Sequence, residues 1–198
     1  MKFFDIIDNI KQPIFSLHDL RMAKINIFPY QMTKWTKDGH LIKIRNGLYA
    51  IADKKDQLNM EMISHLLYEP SYISLERALS KYGLIPEMVY NSTAITTRQT
   101  KTFQNEFGSF MYRSIKKDLF FGFKKIKEMG GVYLLAEPEK ALLDYFYLNS
   151  ARINDLHDVS ELRLNKAVIR GLDKKKLKKY LKVFRSKKLE QICLLLNK

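Results

Sequence analysis

Asp38-Gly39-His40-Leu41-Ile42-Lys43-Ile44-Arg45-Asn46-Gly47-Leu48-Tyr49-Ala50 is the stretch on which the fold turns. From His40 to Ile51, apolar and polar side chains alternate around Asn46-Gly47. That dipeptide accepts the positive φ angles of a tight two-residue turn, so the stretch reads as a β-hairpin. Working outward, Pro29 suits the first turn of a helix running to about Lys37, and Gly39 suits the left-handed residue that stops it. Earlier, Ser16 caps a helix over Leu17 to Ala23, with Asp19 in the first turn where the helix dipole favours an acid. Phe3, Phe4, Ile6, Ile7 and Ile10 place apolar side chains over most of a still earlier helix, which Lys11-Gln12-Pro13 ends. Three helices followed by a hairpin is the order of a winged helix-turn-helix, in which the third helix enters the major groove and the hairpin touches flanking backbone or minor groove.

The side chains fit that reading. Met32 and Trp35 lie three apart on one face of the third helix and are expected in the core. Tyr30, Gln31, Thr33, Lys34 and Lys37 are left to face outward, a mixture of hydrogen-bonding and cationic groups of the kind that base edges and phosphates require. Lys43 and Arg45 alternate with Leu41, Ile42 and Ile44, so both cations project from the hairpin. His18, His40, His65 and His157 are scattered and read as ordinary surface or core histidines.

The chain has 198 residues and a formal charge of +14, unevenly spread. Residues 1–55 carry ten basic and five acidic side chains, residues 56–165 thirteen and fourteen, and residues 166–188 eleven against Asp173 alone. A neutral middle with basic ends fits a polyanion partner, nucleic acid above all, although a solvated basic surface would give the same count. Hydrophobic residues make up 46% of the chain and charged residues 28%, the composition of a globular protein. The single cysteine, Cys193, cannot form an intramolecular disulfide, and no Cys/His cluster has zinc spacing, so a cytoplasmic protein without a structural metal is expected. No run approaches the length of a membrane span, and no membrane partner is expected.

Beyond residue 55 the pattern is α+β. Tyr72-Ile73 ends a short buried strand, and Ser74 caps a helix carrying Leu75, Ala78, Leu79 and Tyr82 on one face before Gly83. Strand-like runs follow at 89–96, 101–104, 109–115, 119–126 and 132–135, divided by turn signals. Pro138 opens a further helix with Ala141, Leu142, Tyr145 and Leu148 as its buried stripe. The basic end is helical and amphipathic: Leu177, Tyr180, Leu181 and Phe184 repeat on one face, and Ser186 starts a last helix with Leu189, Ile192, Cys193 and Leu196. Lys175, Lys178, Lys179 and Lys182, on the opposite face, are candidate phosphate contacts; an anionic membrane is the weaker alternative. The division expected is residues 1–55 as a winged helix-turn-helix DNA-binding domain. Residues 56–198 then form a larger mixed α/β domain ending in basic amphipathic helices.

No phosphate loop, nucleophile elbow, zinc pair or dinucleotide turn occurs. Gly108-Ser109 resembles the start of a nucleotidyltransferase signature, but no Asp-x-Asp follows to hold metal ions. Glu137, Glu139 and Asp144 are better read as helix acids, with Lys140 and Asp144 an i,i+4 ion pair.

Three blocks together resemble a known family. The hairpin block 38–50 is similar to the wing of AbiEi-type antitoxins, and so are Tyr72-Ile73-Ser74-Leu75-Glu76-Arg77-Ala78-Leu79-Ser80-Lys81-Tyr82-Gly83-Leu84-Ile85 and Ala136-Glu137-Pro138-Glu139-Lys140-Ala141-Leu142-Leu143-Asp144. The blocks follow the family's order over nearly the whole chain. The resemblance implies an amino-terminal winged helix that binds inverted repeats in its own promoter, and a carboxyl-terminal domain with antitoxin activity. It also implies a nucleotidyltransferase-like toxin from the same operon, in a type IV system linked to phage defence in which the two need not form a stable complex. The recognition helix departs from the most basic members in having only Lys34 and Lys37 as cations. Ser74, Arg98, Lys140 and Asp144, polar residues beside apolar stripes, are the candidates in the antitoxin domain; Arg98 has no evident local acid. The expected function is a DNA-binding autorepressor and antitoxin, not an enzyme, with no cofactor. The rivals are an antitoxin kinase or nucleotidyl-transferring enzyme that modifies its toxin, and a winged-helix regulator with no toxin partner.

Overall fold

The structure is a computed structural model that describes residues 3, 10, 12–128 and 131–196; most of the expected first helix lies outside these residues. The described chain begins with strand β1 (Ile14–Ser16) and helix α1 (Leu17–Met22). Ser16 makes the expected cap reciprocally, its Oγ accepting from the Asp19 N–H at 3.1 Å while Asp19 Oδ2 accepts from the Ser16 N–H at 2.6 Å. Helix α2 (Pro29–Lys37) starts on its proline, and Gly39 follows at φ +79°. The hairpin is β2 (Leu41–Arg45) and β3 (Leu48–Ile51), with Gly47 also at φ +79°. β1 was not evident in the sequence; it pairs antiparallel with β3, giving a three-stranded sheet of order β1-β3-β2.

That small sheet is buried on both faces. Phe15, Leu41 and Ile51 join Leu20, Met32 and Trp35 in one apolar cluster beneath α1 and α2. Ile14, Ile42, Ile44, Leu48 and Ala50 belong instead to the main core, which runs on through Met62, Ile63 and Leu67. Alternation along a strand separates the two sets, and it explains why the hairpin carries so few polar side chains.

After a 3-10 turn at Ala52–Gln57 come α3 (Met60–Leu67), β4 (Ser71–Ile73) and α4 (Leu75–Lys81). Then follow β5 (Ser92–Thr96), β6 (Lys101–Asn105), β7 (Gly108–Ser114), β8 (Phe123–Glu128) and β9 (Gly131–Ala136). These strands form a six-stranded mixed sheet of order β6-β7-β5-β4-β9-β8. β7 and β5 run parallel, as do β4 and β9, and the other neighbours are antiparallel. The α+β expectation therefore holds.

Successive residues of a strand face opposite ways, and this assigns the two helix layers. Tyr72 reaches α5 (Pro138–Asn149) through Asp144. Ile73 stands opposite Ala94, and Ala94 opposite Tyr112, whose hydroxyl donates to the Ser64 carbonyl of α3 at 2.6 Å. α3 thus covers one face and α5 the other. The chain closes with α6 (Leu156–Glu161), α7 (Lys166–Arg170), α8 (Lys174–Phe184) and α9 (Lys187–Leu195). Phe184, Leu189, Ile192 and Cys193 seal the main core, and among the described residues no helix is long and apolar enough to cross a membrane.

Two strand expectations are corrected. The run from Leu119 to Ile126 begins its strand only at Phe123, because Lys117–Leu119 forms a 3-10 turn and Gly122 takes φ +72°. The run from Val89 begins its strand at Ser92. α3, α6 and α7 had no counterpart in the sequence reading.

Candidate nucleic-acid interface and the buried polar network

Helix α2 buries Met32 and Trp35, as its spacing requires, and turns Tyr30, Thr33, Lys34 and Lys37 to the exterior. Gln31 departs from the expected outward position: it is half-buried, and its Oε1 accepts from the Phe28 N–H at 3.0 Å. This bond completes the start of the helix and ties the side chain to the backbone. Thr33 Oγ1 donates to the Pro29 carbonyl at 3.2 Å, which leaves the hydroxyl oxygen free to accept. Tyr30 remains 67% exposed, its ring stacked 5.9 Å from that of Phe28.

On β2, Lys43 and Arg45 are both exposed, and a register shift between them sets Lys43 opposite Tyr49 and Arg45 opposite Leu48. Among the described residues, Lys34, Lys37, Lys43 and Arg45 form no ion pair. The same is true of Lys175, Lys178, Lys179 and Lys182, all exposed on α8. Their charge therefore faces solvent uncompensated by a contacting carboxylate, which favours an anionic partner.

Three of the four antitoxin-domain candidates meet inside the main core. Tyr72 is 1% exposed, and Ser74, Lys140 and Asp144 are 0% exposed. Asp144 Oδ2 accepts from Tyr72 Oη and from Ser74 Oγ, each at 2.9 Å, and Asp144 Oδ1 accepts from Lys140 Nζ. Lys140 Nζ also donates to Tyr72 Oη at 2.8 Å, so the phenol accepts from the lysine and donates to the carboxylate. The ammonium lies 5.0 Å from the ring centres of both Phe121 and Phe184, where negative ring faces replace part of its lost hydration.

Burial pushes the Asp144 carboxyl up and the Lys140 ammonium down from their ordinary values, and the attraction between them opposes both shifts. The Tyr72 phenol is held well above its usual range by burial and by the neighbouring carboxylate. With all four side chains sealed from water, the arrangement orders the core and has no substrate access. Gly122 is part of the fit, since a Cβ there would come within 3.0 Å of Lys140 Cγ.

Two expectations change here. Ser74 stands at the start of α4 but makes no side-chain cap; its hydroxyl goes to Asp144, and Leu75 after it takes φ +55°. Lys140 and Asp144 do pair at i,i+4, yet inside the core rather than on an exposed helix face. Arg98 is elsewhere, exposed beyond the end of β5. One of its nitrogens donates to the Glu69 carbonyl at 3.1 Å, and its guanidinium lies 4.7 Å over the Tyr68 ring. Sequence reasoning missed Tyr72, the central member of the network, because an aromatic residue in a short buried strand signals only packing.

The remaining acids disperse. Glu137 meets Tyr180 and Lys176 of α8, and Glu139 Oε1 accepts from the Asp173 N–H at 2.9 Å. Asp155, His157 and Asp158 bring potential ligand atoms within 4.8 Å of one another, but two already serve the start of α6, Asp155 accepting from the Asp158 N–H and Asp158 from the Asn154 N–H. Comparison of the chain with protein-family models and with curated proteins finds no match.

Proposed function

We propose that this chain is a DNA-binding transcriptional autorepressor and antitoxin, whose amino-terminal unit acts as a winged helix-turn-helix. The observation that carries the reading is the succession β1-α1-α2-β2-β3, with unpaired cations on α2 and on the hairpin. In such a unit α2 lies in the major groove, with Thr33 and Tyr30 reaching base edges and Lys34 and Lys37 reaching phosphates. Lys43 and Arg45 then serve as wing contacts to the flanking backbone, and the lysines of α8 as a second phosphate-binding surface. The antitoxin part rests on the three blocks that resemble AbiEi-type antitoxins. It is supported by the meeting of two of those blocks, 72–85 and 136–144, in one hydrogen-bonded network. The partner this implies is a nucleotidyltransferase-like toxin encoded in the same operon, and the DNA partner is the protein's own promoter.

A mobility-shift titration with the DNA upstream of the gene tests the reading. Lys34→Ala and Arg45→Ala should each weaken binding, and raising salt from about 50 to 200 mM should cost orders of magnitude in affinity through counterion uptake. Binding indifferent to both substitutions and to salt would remove α2 and the hairpin as the reading surface.

A further inference from the structure

At the tip of the β2–β3 hairpin a cavity of about 490 Å³ opens between Arg45 and Asn46 on one side and Tyr68, Glu69, Arg98, Lys101 and Phe103 on the other. Three cations converge on it, and among the described residues none of the three is ion-paired. Aromatic rings seat two of them: Arg98 over Tyr68 at 4.7 Å, and Lys101 over Phe103 at 4.9 Å. A ring face orients a cation without cancelling its charge, whereas a carboxylate would neutralise it. Glu69 is the one acid in the lining; its carboxylate lies 3.6 Å from His65, and its backbone carbonyl takes the bond from Arg98.

The two guanidiniums spend little of their capacity. Arg45 donates to the Asn46 carbonyl at 3.3 Å and Arg98 to that of Glu69, which leaves most of five N–H donors on each. Forked donors of this kind match phosphate oxygens two at a time, and a lysine adds a point charge beside them. The volume falls within the range of small-ligand sites, and the Tyr68 and Phe103 rings, 5.6 Å apart, supply flat apolar wall beside the cations.

We infer that this cavity is a binding site for a free nucleotide, its phosphate chain held by Arg45, Arg98 and Lys101. The inference shares Arg45 with the DNA-binding reading, whereas Arg98 and Lys101 lie outside the amino-terminal unit. DNA backbone offers the same phosphate chemistry, so the test must separate the two sources.

The full chain is titrated by calorimetry with ATP, with GTP and, separately, with a short duplex of random sequence. The variants are Arg98→Gln and Lys101→Gln, both at exposed positions that leave the core intact, with Lys166→Gln as a charge-matched control and circular dichroism to confirm folding. At least one nucleotide should bind saturably to the parent and to Lys166→Gln, and roughly tenfold or more weakly to each of the other two, as loss of a charge-assisted contact requires. Duplex affinity should change far less in Arg98→Gln than nucleotide affinity does. The inference is overturned by absence of saturable nucleotide binding to the parent, by equal binding to folded Arg98→Gln and Lys101→Gln, or by substitutions that weaken the duplex and leave nucleotides untouched.

Discussion

Lys140 and Asp144 lie one turn apart on α5 with no exposed surface, and their environment fixes what each substitution does. Asp144→Asn leaves a buried ammonium facing an amide, and Lys140→Met leaves a buried carboxylate with only two hydroxyl donors. Each should destabilise the fold by about 3–5 kcal/mol, the usual cost of removing one partner of a buried pair. Replacing both, as Lys140→Met with Asp144→Leu, removes both desolvation penalties and should recover a substantial part of that loss, even though Tyr72 and Ser74 lose their acceptor. Urea denaturation of the three variants checks this; a double variant no more stable than the worse single one would show that the hydroxyl bonds to Asp144 outweigh the charge pairing. Part of this site was legible. The i,i+4 pair follows from spacing alone, but the two hydroxyls that complete it come from residues 68 to 72 positions away. Only tertiary structure supplies the sheet that carries Tyr72 beneath α5. Ser74 was misread for the same reason: a serine before an apolar run is ordinarily a cap, and nothing local reveals a stronger acceptor from elsewhere in the chain.

Helix α8 is anchored to the start of α5 by Glu137. Its carboxylate accepts from Tyr180 Oη and, at 3.0 Å, from Lys176 Nζ. Partial burial alone would raise the Glu137 pKa, but the hydrogen bonds from Tyr180 and Lys176 outweigh it and hold the group below the ordinary carboxylate range. A depressed carboxylate pKa stabilises the fold fully above the unfolded value and ceases to do so as pH falls through the folded one. Glu137→Gln should therefore cost a few tenths to about 1 kcal/mol near neutral pH, the scale of a partly exposed pair. The gap to the parent should narrow as pH drops below about 4, near the unfolded glutamate value. Thermal melts of both proteins across that range provide the measurement, and a gap that persists undiminished in acid would assign the effect to packing rather than charge. α8 itself was legible from its leucines, tyrosine and phenylalanine repeating against lysines, since one face is dry and the other wet. α3 was not, because Glu61, Met62, Ile63, Ser64 and Leu67 are all buried and leave no contrast between faces. Its one acid signals exposure in the sequence, yet Glu61 is buried against Arg77 at 2.7 Å.

At the scale of the whole molecule, the main core does not stop at residue 55. Ile14, Ile42, Ile44, Leu48 and Ala50 are part of it, and the Asn105 amide donates to the Ile44 carbonyl at 3.2 Å across the junction. The sequence shows a neutral middle between two basic ends, and such charge boundaries do not show where apolar contacts cross them. A chain shortened to residues 56–198 would uncover Met62, Ile63 and Leu67 and lose the small sheet that covers them. Such a fragment should bind a hydrophobic dye and melt below the parent, and it is unsuitable for asking where an antitoxin activity resides. Point substitutions answer that question without opening the core. Lys34→Ala combined with Arg45→Ala alters two exposed side chains and should leave the melting temperature within the usual range for surface changes, about ±0.5 kcal/mol in stability. The double variant should lose promoter binding and still restore growth when the toxin is expressed from an unrelated promoter, which removes repression from the readout. If a well-folded double variant fails to restore growth under that promoter, neutralisation depends on the DNA-binding surface itself. The larger unit would then serve to hold α2 and the hairpin in place, and the separate antitoxin role proposed for it would fall.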